Sequence, residues 1–139
     1  MIEFINQTNF EVPQMKVYAK WIARIFEKED RKCGDIIYTF CSDEFLDELN
    51  QHYLQHVDWT DIITFDNTVG DIVSGDIFIS LDRVQENALK FGVDMVVELR
   101  RVMAHGILHL FDYKDDTENN QSLMRLKENE MLNLFHVEH

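Results

Sequence analysis

The chain has 139 residues, of which 45% are hydrophobic, enough to form one core of ordinary size. Its 13 basic and 26 acidic residues give a net charge of −13, which disfavours non-specific binding to nucleic acid. There is no basic leader followed by an apolar run and no stretch of about 18 apolar residues, which excludes a membrane-spanning helix. We therefore predict one domain over residues 1–139, located in the cytoplasm and without a membrane partner.

The first half of the chain predicts strands and helices in alternation. Apolar segments around Ile2–Ile5 and over Asp35–Cys41 predict two strands. Ser42 is a residue type preferred at helix N-termini, and an acidic turn follows it. The helix between the strands has apolar residues at i, i+4 and i+8, which are Val17, Trp21 and Ile25, and the helix after Ser42 should bury Phe45, Leu46, Leu49 and Tyr53.

The second half predicts two more strands and then three helices. Segments rich in Ile and Phe over Asp61–Phe65 and Gly75–Ser80, separated by a polar turn, complete a mixed sheet of about four strands. Helices are expected over residues 81–90, 94–110 and 117–135, the last with Thr117 as its N-cap. The fold class is therefore α+β, with the helices packed on the sheet. The expected apolar stripe of the last helix is Leu123, Leu126, Met131 and Leu134.

Two histidines four residues apart carry the chemical signal. His105 and His109 lie one turn apart on a predicted helix, so both rings can reach one metal ion at about 2 Å. Asp115 follows His105 by ten positions, the offset of the third ligand in metzincin-type zinc sites, where a turn brings the chain back over the metal. Asp116 is an alternative third ligand. That turn needs a left-handed residue near position 112, and Asp112 tolerates this conformation.

The residue after His105 limits the reaction class. Gly106 stands where the HExxH peptidases have a glutamate base, so an ordinary metallopeptidase is disfavoured. Glycine inside a helix costs about 1 kcal/mol relative to alanine, which predicts close packing of another element against this turn. Three protein ligands leave a fourth position for water, which suffices for metal-assisted hydrolysis.

Three segments resemble a known family. HGILHLFDYKDD, residues 105–116, resembles the HGxLHLxGYDH signature of the YbeY endoribonucleases. Residues 49–65 resemble the family segment LNxxYRxxDxxTDVLSF, and residues 75–80 match GDIxIS, which is followed by an Asn-Ala pair, here Asn87 and Ala88. The resemblance implies an α+β fold, a zinc site at His105, His109 and Asp115, and a substrate groove beside the GDIxIS strand and the metal helix.

The resemblance also implies a function. Its members are zinc-dependent endoribonucleases specific for single-stranded RNA, associated in bacteria with small-subunit ribosomal RNA 3′ end maturation and with ribosome quality control. We accordingly expect one zinc ion per chain, with nickel, manganese or iron as alternatives because Asp115 is a harder ligand than imidazole. The expected partners are precursor ribosomal RNA and the ribosome or its proteins, and no DNA. The chain departs from the family at Asp115, Asp112 and Lys114, and Leu54 replaces an arginine thought to contact phosphate.

Candidate substrate contacts come from basic residues near the metal helix and from the resemblance. Most such charges only solvate a helix face, and Ser80 is equally suited to cap a helix. His52 and His56 lie near Leu54 and could partly replace the missing charge. The candidate phosphate contacts are Lys114, Arg100, Arg101 and Lys90, and the candidate groove residues are Ser80 and Thr60.

Two other functions stay open. A non-catalytic factor bound to the ribosome, in which the metal only holds the helix end, is favoured by Leu54 and by the charge of −13. A metal-dependent hydrolase of another substrate, such as a peptide, would keep the ligands, but Gly106 argues against it. Metal-dependent RNA cleavage distinguishes the endoribonuclease from the first alternative.

Overall fold

A computed structural model describes residues 1–13, 15–54 and 60–137 of the chain. Within these ranges no helix is long and apolar enough to cross a membrane. A π-helical turn, Asn50–Leu54, continues directly from the second α-helix. The elements in chain order are β1 (Ile2–Asn6), α1 (Met15–Lys28), β2 (Lys32–Cys41), α2 (Asp43–Leu49), β3 (Ile62–Asp66), β4 (Ile72–Ser80), α3 (Leu81–Phe91), α4 (Met95–Leu110) and α5 (Glu118–Val137).

The four strands form one mixed sheet in the order β1-β2-β4-β3. β1 pairs with β2 and β2 with β4 in parallel, whereas β3 pairs with β4 in antiparallel fashion. The parallel pair β1 and β2 is joined through α1, as parallel strands require a crossover of this kind. The sequence prediction of an α+β fold with a mixed four-stranded sheet is confirmed.

Successive residues of β4 face opposite sides of the sheet and serve two apolar clusters. Ile77 and Ile79 are fully buried in the main core, which also includes residues of α1, α4 and α5. Phe78 packs on a smaller cluster beside α2 that contains Leu46 and Ile63. The large core is thus the side that carries α4, the predicted metal helix.

Two side-chain hydrogen bonds tie the helices of the main core together. The Trp21 indole donates to the Met131 carbonyl of α5 at 2.8 Å, and the Tyr38 hydroxyl donates to the Met103 carbonyl of α4 at 2.9 Å. Both aromatic side chains are buried, where an unpaired polar atom would be unfavourable. α4 is therefore fixed to the sheet, and α5 to α1.

The predicted helix caps are present. The Ser42 hydroxyl accepts from the backbone N–H of Phe45 at 3.1 Å, and the Thr117 hydroxyl accepts from that of Asn120 at the same distance. Ser80 caps α3 by accepting from the Arg83 N–H at 3.1 Å. Each cap satisfies one N–H group that the helix itself leaves without a partner.

The predicted buried stripe of α5 is wrong in its first half. Leu123 and Leu126 are 43% and 58% exposed, and Phe45 of α2 is also 37% exposed. The sequence pattern misled because one position of the true stripe carries a charged residue, which interrupts its apolar spacing. The buried residues of α5 are Met124, Glu128, Met131, Leu132 and Phe135.

Gly106 lies where α4 touches the sheet, as its place inside a helix predicted. A Cβ atom at this position would lie 2.9 Å from Ile62 Cδ1 and 3.1 Å from Ile77 Cγ2. The helix can approach the sheet this closely only without a side chain at position 106.

Gly106→Val should therefore destabilise the fold. We expect a loss of about 1 to 3 kcal/mol in the free energy of unfolding, the usual penalty for forcing extra atoms into a packed core. Urea unfolding measures the loss. Ser122→Val on the exposed face of α5 is the control for the effect of valine in a helix, and an equal change in the two variants would contradict the close approach.

Candidate metal centre

The turn after α4 reverses the chain through a left-handed residue. Asp112 has a φ of 71°, as the spacing from His105 predicted. Its N–H donates to the His109 carbonyl and the Tyr113 N–H donates to the Leu108 carbonyl, both at 3.0 Å. This is the Schellman arrangement, which satisfies two carbonyls at a helix C-terminus. It turns the chain so that the residues after Asp112 come back beside α4.

Contacts with the loop between α1 and β2 and with α5 hold this turn in place. The Tyr113 hydroxyl donates to Glu29 at 2.6 Å, and Lys127 forms an ion pair with the same carboxylate at 3.1 Å. Arg31 donates to the Phe111 carbonyl at 3.1 Å, which adds a positive charge at the C-terminal end of α4. The position of Asp115 over the helix is thus set by tertiary contacts as well as by the turn.

His105, His109 and Asp115 converge at the end of α4. Their ligand atoms all lie within 4.8 Å of one another, and within the described ranges no other group of His, Cys, Asp and Glu side chains meets this condition. The two Nε2 atoms are 2.9 Å apart, and Asp115 Oδ2 lies 3.4 Å from each of them. In a tetrahedral zinc site with bonds of 2.0–2.1 Å, neighbouring ligand atoms are about 3.3 Å apart. The observed distances fit one ion.

The hydrogen bonds of the two rings explain why their Nε2 atoms can bind a cation. His105 Nδ1 lies 2.7 Å from Glu128 Oε2, and His109 Nδ1 lies 3.1 Å from the Tyr113 carbonyl oxygen. A carbonyl oxygen and a carboxylate accept, so each Nδ1 carries a proton, and in the neutral form of each ring the lone pair of Nε2 is directed towards Asp115. Three hydrogen-bond acceptors, the two Nε2 atoms and the Asp115 carboxylate, then lie together with no donor between them. A metal ion would stabilise this arrangement.

Glu128 of α5 is the partner that fixes His105, and the sequence reasoning missed it. Its side chain is 8% exposed and accepts from Arg101 Nη1 at 2.9 Å, with Arg125 Nη1 at 3.5 Å. Two arginines thus hold the carboxylate that orients the ring. No local spacing could reveal this contact, because Glu128 lies 23 residues after His105 and reaches it only through the packing of α5 on α4.

The electrostatic environment separates the two histidines. Burial and the neighbouring His105 lower the pKa of His109, which keeps this ring neutral. Burial by itself would lower the pKa of His105, but Glu128 and Asp115 raise it above its ordinary value. Burial would raise the pKa of Glu128, yet His105 and Arg101 hold it below its ordinary value. A metal ion must therefore displace a proton from His105 in acidic solution, so metal affinity should fall at low pH.

Beside His105 lies a cavity of about 260 Å³ that both polar and apolar side chains line. Two of its carboxylates, Asp61 and Glu98, have pKa values raised above the ordinary range, mainly because burial disfavours their charged form. Glu98 precedes His105 by seven residues, two turns along α4, and this spacing is a signal that the sequence reasoning overlooked. The lining consists of Asp61, Ile62, Asn87, Phe91, Glu98, Arg101, Val102, His105, Arg125 and Glu128.

The Glu98→Gln variant should be more stable than the wild type at neutral pH. The raised pKa means that ionised Glu98 destabilises the folded state, and this penalty disappears as the pH falls through the folded pKa towards the unfolded value of about 4.3. Urea unfolding from pH 7 to pH 4 measures the difference between the two proteins. A difference that stays constant over this range, or that grows at low pH, would contradict the raised pKa.

The predicted substrate residues do not all lie near the three ligands. Lys114 is exposed beside Asp115, whereas Arg101 binds Glu128 and Asn129. The Arg100 guanidinium lies 3.8 Å from the centre of the Phe135 ring in the core. Their roles in substrate binding stay predictions.

The two predicted groove residues are engaged in local hydrogen bonds. Ser80 is fully buried as the cap of α3, and Thr60 donates to the Ile62 carbonyl at 3.0 Å. The Lys90 ammonium lies 5.9 Å from the centre of the Phe91 ring, at the C-terminal end of α3. His56 and the side chain of Leu54 lie outside the described residues.

The rival ligand Asp116 has another partner. Asn120 Nδ2 donates to Asp116 Oδ1 at 2.7 Å, which lowers the pKa of the carboxyl group. The carboxylate of Asp116 thus helps to begin α5, while that of Asp115 faces the two histidines.

The family model and the curated relatives that match this chain agree on one family. The family model described as endoribonuclease YbeY matches residues 3–136 of the chain. The protein named Endoribonuclease YbeY in Christiangramia forsetii is 48% identical over 137 residues, which cover 99% of this chain and 96% of that protein. Its namesake in Flavobacterium johnsoniae is 46% identical over 138 residues, 99% of each chain. The solution structure of TM1509 from Thermotoga maritima is similar with a TM-score of 0.68 and 28% identity, covering 99% of this chain and 91% of that one.

Proposed function

Because the chain belongs to the endoribonuclease YbeY family, we propose that it is a metal-dependent endoribonuclease that cleaves single-stranded RNA. The proposed substrate is precursor ribosomal RNA, cleaved to mature the 3′ end of the small-subunit RNA. The protein would then act in the cytoplasm, with the ribosome or ribosomal proteins as partners and a further role in ribosome quality control.

The observation that carries this proposal is the meeting of three metal-ligand atoms at an accessible place. His105 and His109 are 20% and 29% exposed in their side chains, and Asp115 is 48% exposed. The protein thus covers one side of the group and leaves the Asp115 side open to an RNA strand. An open position beside three protein ligands is typical of catalytic rather than structural zinc sites.

The proposed cofactor is one zinc ion per chain, held by His105, His109 and Asp115. Two imidazoles and a carboxylate also suit nickel, manganese and iron, so metal identity is part of the proposal. When bound, the metal would activate a water molecule and stabilise the negative charge that develops on the phosphodiester. Gly106 follows His105, so α4 supplies no glutamate base at that position, and hydrolysis would depend on the metal.

The chain's own residues would orient these groups and the RNA. Glu128 and the Tyr113 carbonyl hold the two rings with Nε2 towards the ion. Lys114 and Arg125, both exposed beside the centre, would contact phosphate, and Arg125 also borders the cavity next to His105. Such local positive charges would have to overcome the repulsion between RNA and a chain with a net charge of −13.

The test is cleavage of end-labelled RNA by wild type and by His109→Ala. We expect the metal-loaded wild type to cut single-stranded RNA and to spare a duplex of the same sequence. A chelator should stop cleavage and added zinc should restore it, whereas His109→Ala should stay inactive with zinc while its circular dichroism spectrum is kept. Equal cleavage by His109→Ala would contradict the proposed site, and cleavage unaffected by the chelator would contradict the metal mechanism.

A second candidate is a non-catalytic factor of the ribosome. It is favoured by Leu54 in place of the family's arginine and by the acidic surface, which suits a basic ribosomal protein. Zinc-loaded wild type that binds ribosomal subunits but cuts no RNA would support this candidate over the endoribonuclease.

A further inference from the structure

The cavity beside His105 contains hydrogen-bonding groups that no described residue satisfies. Glu98 is 6% exposed and lines this cavity. The described residues give its carboxylate no hydrogen bond or ion pair, although Arg101 and Arg125 act on it electrostatically. Nor do they give the half-buried amide of Asn87 a partner. A buried carboxylate without hydrogen bonds is unfavourable in a fold, and a ligand with N–H groups would remove this penalty.

The charges of the cavity exclude phosphate as its main occupant. Asp61, Glu98 and Glu128 contribute three carboxylates against the two guanidinium groups of Arg101 and Arg125. Arg101 is already bonded to Glu128 and Asn129, and Arg125 is paired with Glu128 at 3.5 Å. The ligand must instead present hydrogen-bond donors to the carboxylates. With about 260 Å³ the cavity is smaller than the roughly 300 Å³ at which pockets for drug-sized molecules begin, so it suits one small group.

An aromatic ring at the cavity adds a second feature of the ligand. Phe91 ends α3 and is 56% exposed, although it lines the cavity. Exposed aromatic side chains beside polar groups are what proteins use to stack an unpaired base while its Watson–Crick edge is read. The combination therefore fits a planar, heterocyclic group with donors on its edge.

We propose that this cavity is a nucleobase subsite that selects guanine next to the scissile phosphate. Guanine has adjacent N1–H and N2–H donors that one carboxylate, that of Glu98, can accept together, and its O6 can accept from the Asn87 amide. Uracil would instead turn a carbonyl oxygen towards the carboxylates, and adenine and cytosine offer one amino group each. Since His105 lines both this cavity and the metal centre, the selected base would lie directly beside the cleavage position.

This inference rests on the proposed function, and equilibrium binding tests it separately from cleavage. The probe is a labelled six-nucleotide 2′-O-methyl RNA of uridines with one central guanosine, inosine, adenosine or cytidine. Fluorescence anisotropy with the zinc-loaded protein gives the affinities, and a gel confirms that the RNA stays intact. We expect the guanosine RNA to bind most tightly, all-uridine RNA to bind least, and inosine, which lacks the 2-amino group, to lie between them.

Substitutions separate base reading from stacking. Glu98→Gln should reduce the preference for guanosine over uridine by roughly 5- to 150-fold, the usual contribution of one bidentate contact. Phe91→Leu should weaken binding of every RNA and keep the preference. Glu3→Gln removes the same charge from β1, at the opposite edge of the sheet, and should change neither.

Several results would overturn the subsite. They are equal affinity of wild type for all the RNAs, a preference unchanged in Glu98→Gln, and no measurable binding of any RNA. Cleavage without base preference would overturn the subsite and leave the proposed function intact. Selective binding of guanosine RNA by a protein that never cleaves would contradict the endoribonuclease and support the subsite.

Discussion

Replacing Asp115 by alanine is expected to remove bound metal, at about one equivalent per chain. Asp115 Oδ2 lies 3.4 Å from both Nε2 atoms, and without it two neutral imidazoles would face the ion alone. Two ligands at i and i+4 of one helix leave half of a tetrahedral site to solvent. Elemental analysis after gel filtration measures the loss directly, without any assumption about substrate.

Asp116→Ala is the matched control for this measurement. This variant also removes an aspartate carboxylate, but from the next residue in the chain. The Asp116 carboxylate accepts a hydrogen bond from Asn120 at the start of α5. The proteins should carry His136→Ala and His139→Ala, because this C-terminal pair could scavenge metal. Equal metal in the two aspartate variants would exclude Asp115 as the third ligand, and a selective loss in Asp116→Ala would assign that role to its neighbour.

The part of the site that could be predicted from sequence is local. One helical turn separates His105 from His109, and a left-handed residue is needed before the chain can return, so spacing predicted Asp112 at the turn and Asp115 as the third ligand, with Asp116 as the alternative. The structure has a φ of 71° at Asp112 and brings the Asp115 carboxylate to 3.4 Å from both Nε2 atoms. The caps at Ser42 and Thr117 were predictable for the same reason, since a cap involves only residues within one turn.

The parts that could not be predicted depend on packing between distant segments. Glu128 interrupts the apolar stripe of α5, and for that reason the stripe was placed on Leu123 and Leu126, which are exposed. Because Glu128 occupies a position of the buried face where an apolar residue would be usual, its carboxylate contacts His105. The position at which the apolar pattern of α5 fails is thus the position of the contact with His105. Such departures from a regular pattern are common at functional sites.

Glu98 is a second charged residue at a buried helix position near His105. It occupies a buried position of α4 without hydrogen bonds from the described residues, and burial raises its pKa. A leucine there would suit the core better, so the acidic residue is hard to explain by stability alone. Its seven-residue spacing from His105 is visible in the sequence, but its burial in the folded chain is not.

Glu128→Gln is expected to weaken metal binding by about 10- to 100-fold, the usual effect of losing the partner of a metal-ligating histidine. The oxygen of a glutamine side chain can still accept a hydrogen bond from His105 Nδ1–H. It lacks the negative charge that makes the ring a stronger metal ligand and that pairs with Arg101. Titration of zinc against a competing chelator gives the affinity independently of RNA. Glu118→Gln, in the exposed first turn of α5, removes the same charge and should leave the affinity unchanged.

A purely structural role for Glu128 would give a different pattern. Loss of the pair with Arg101 alone would lower the free energy of unfolding in both the metal-free and the metal-loaded protein, and the zinc affinity of the folded molecules would not change. The orienting role predicts the opposite: the stabilisation that zinc gives to the fold becomes smaller in Glu128→Gln, because stabilisation by a ligand follows its affinity for the native state. Urea unfolding with and without zinc therefore distinguishes the orienting role from the structural one. If zinc stabilises Glu128→Gln as much as it stabilises the wild type, Glu128 supports the packing of α5 on α4 and does not orient the metal ligand.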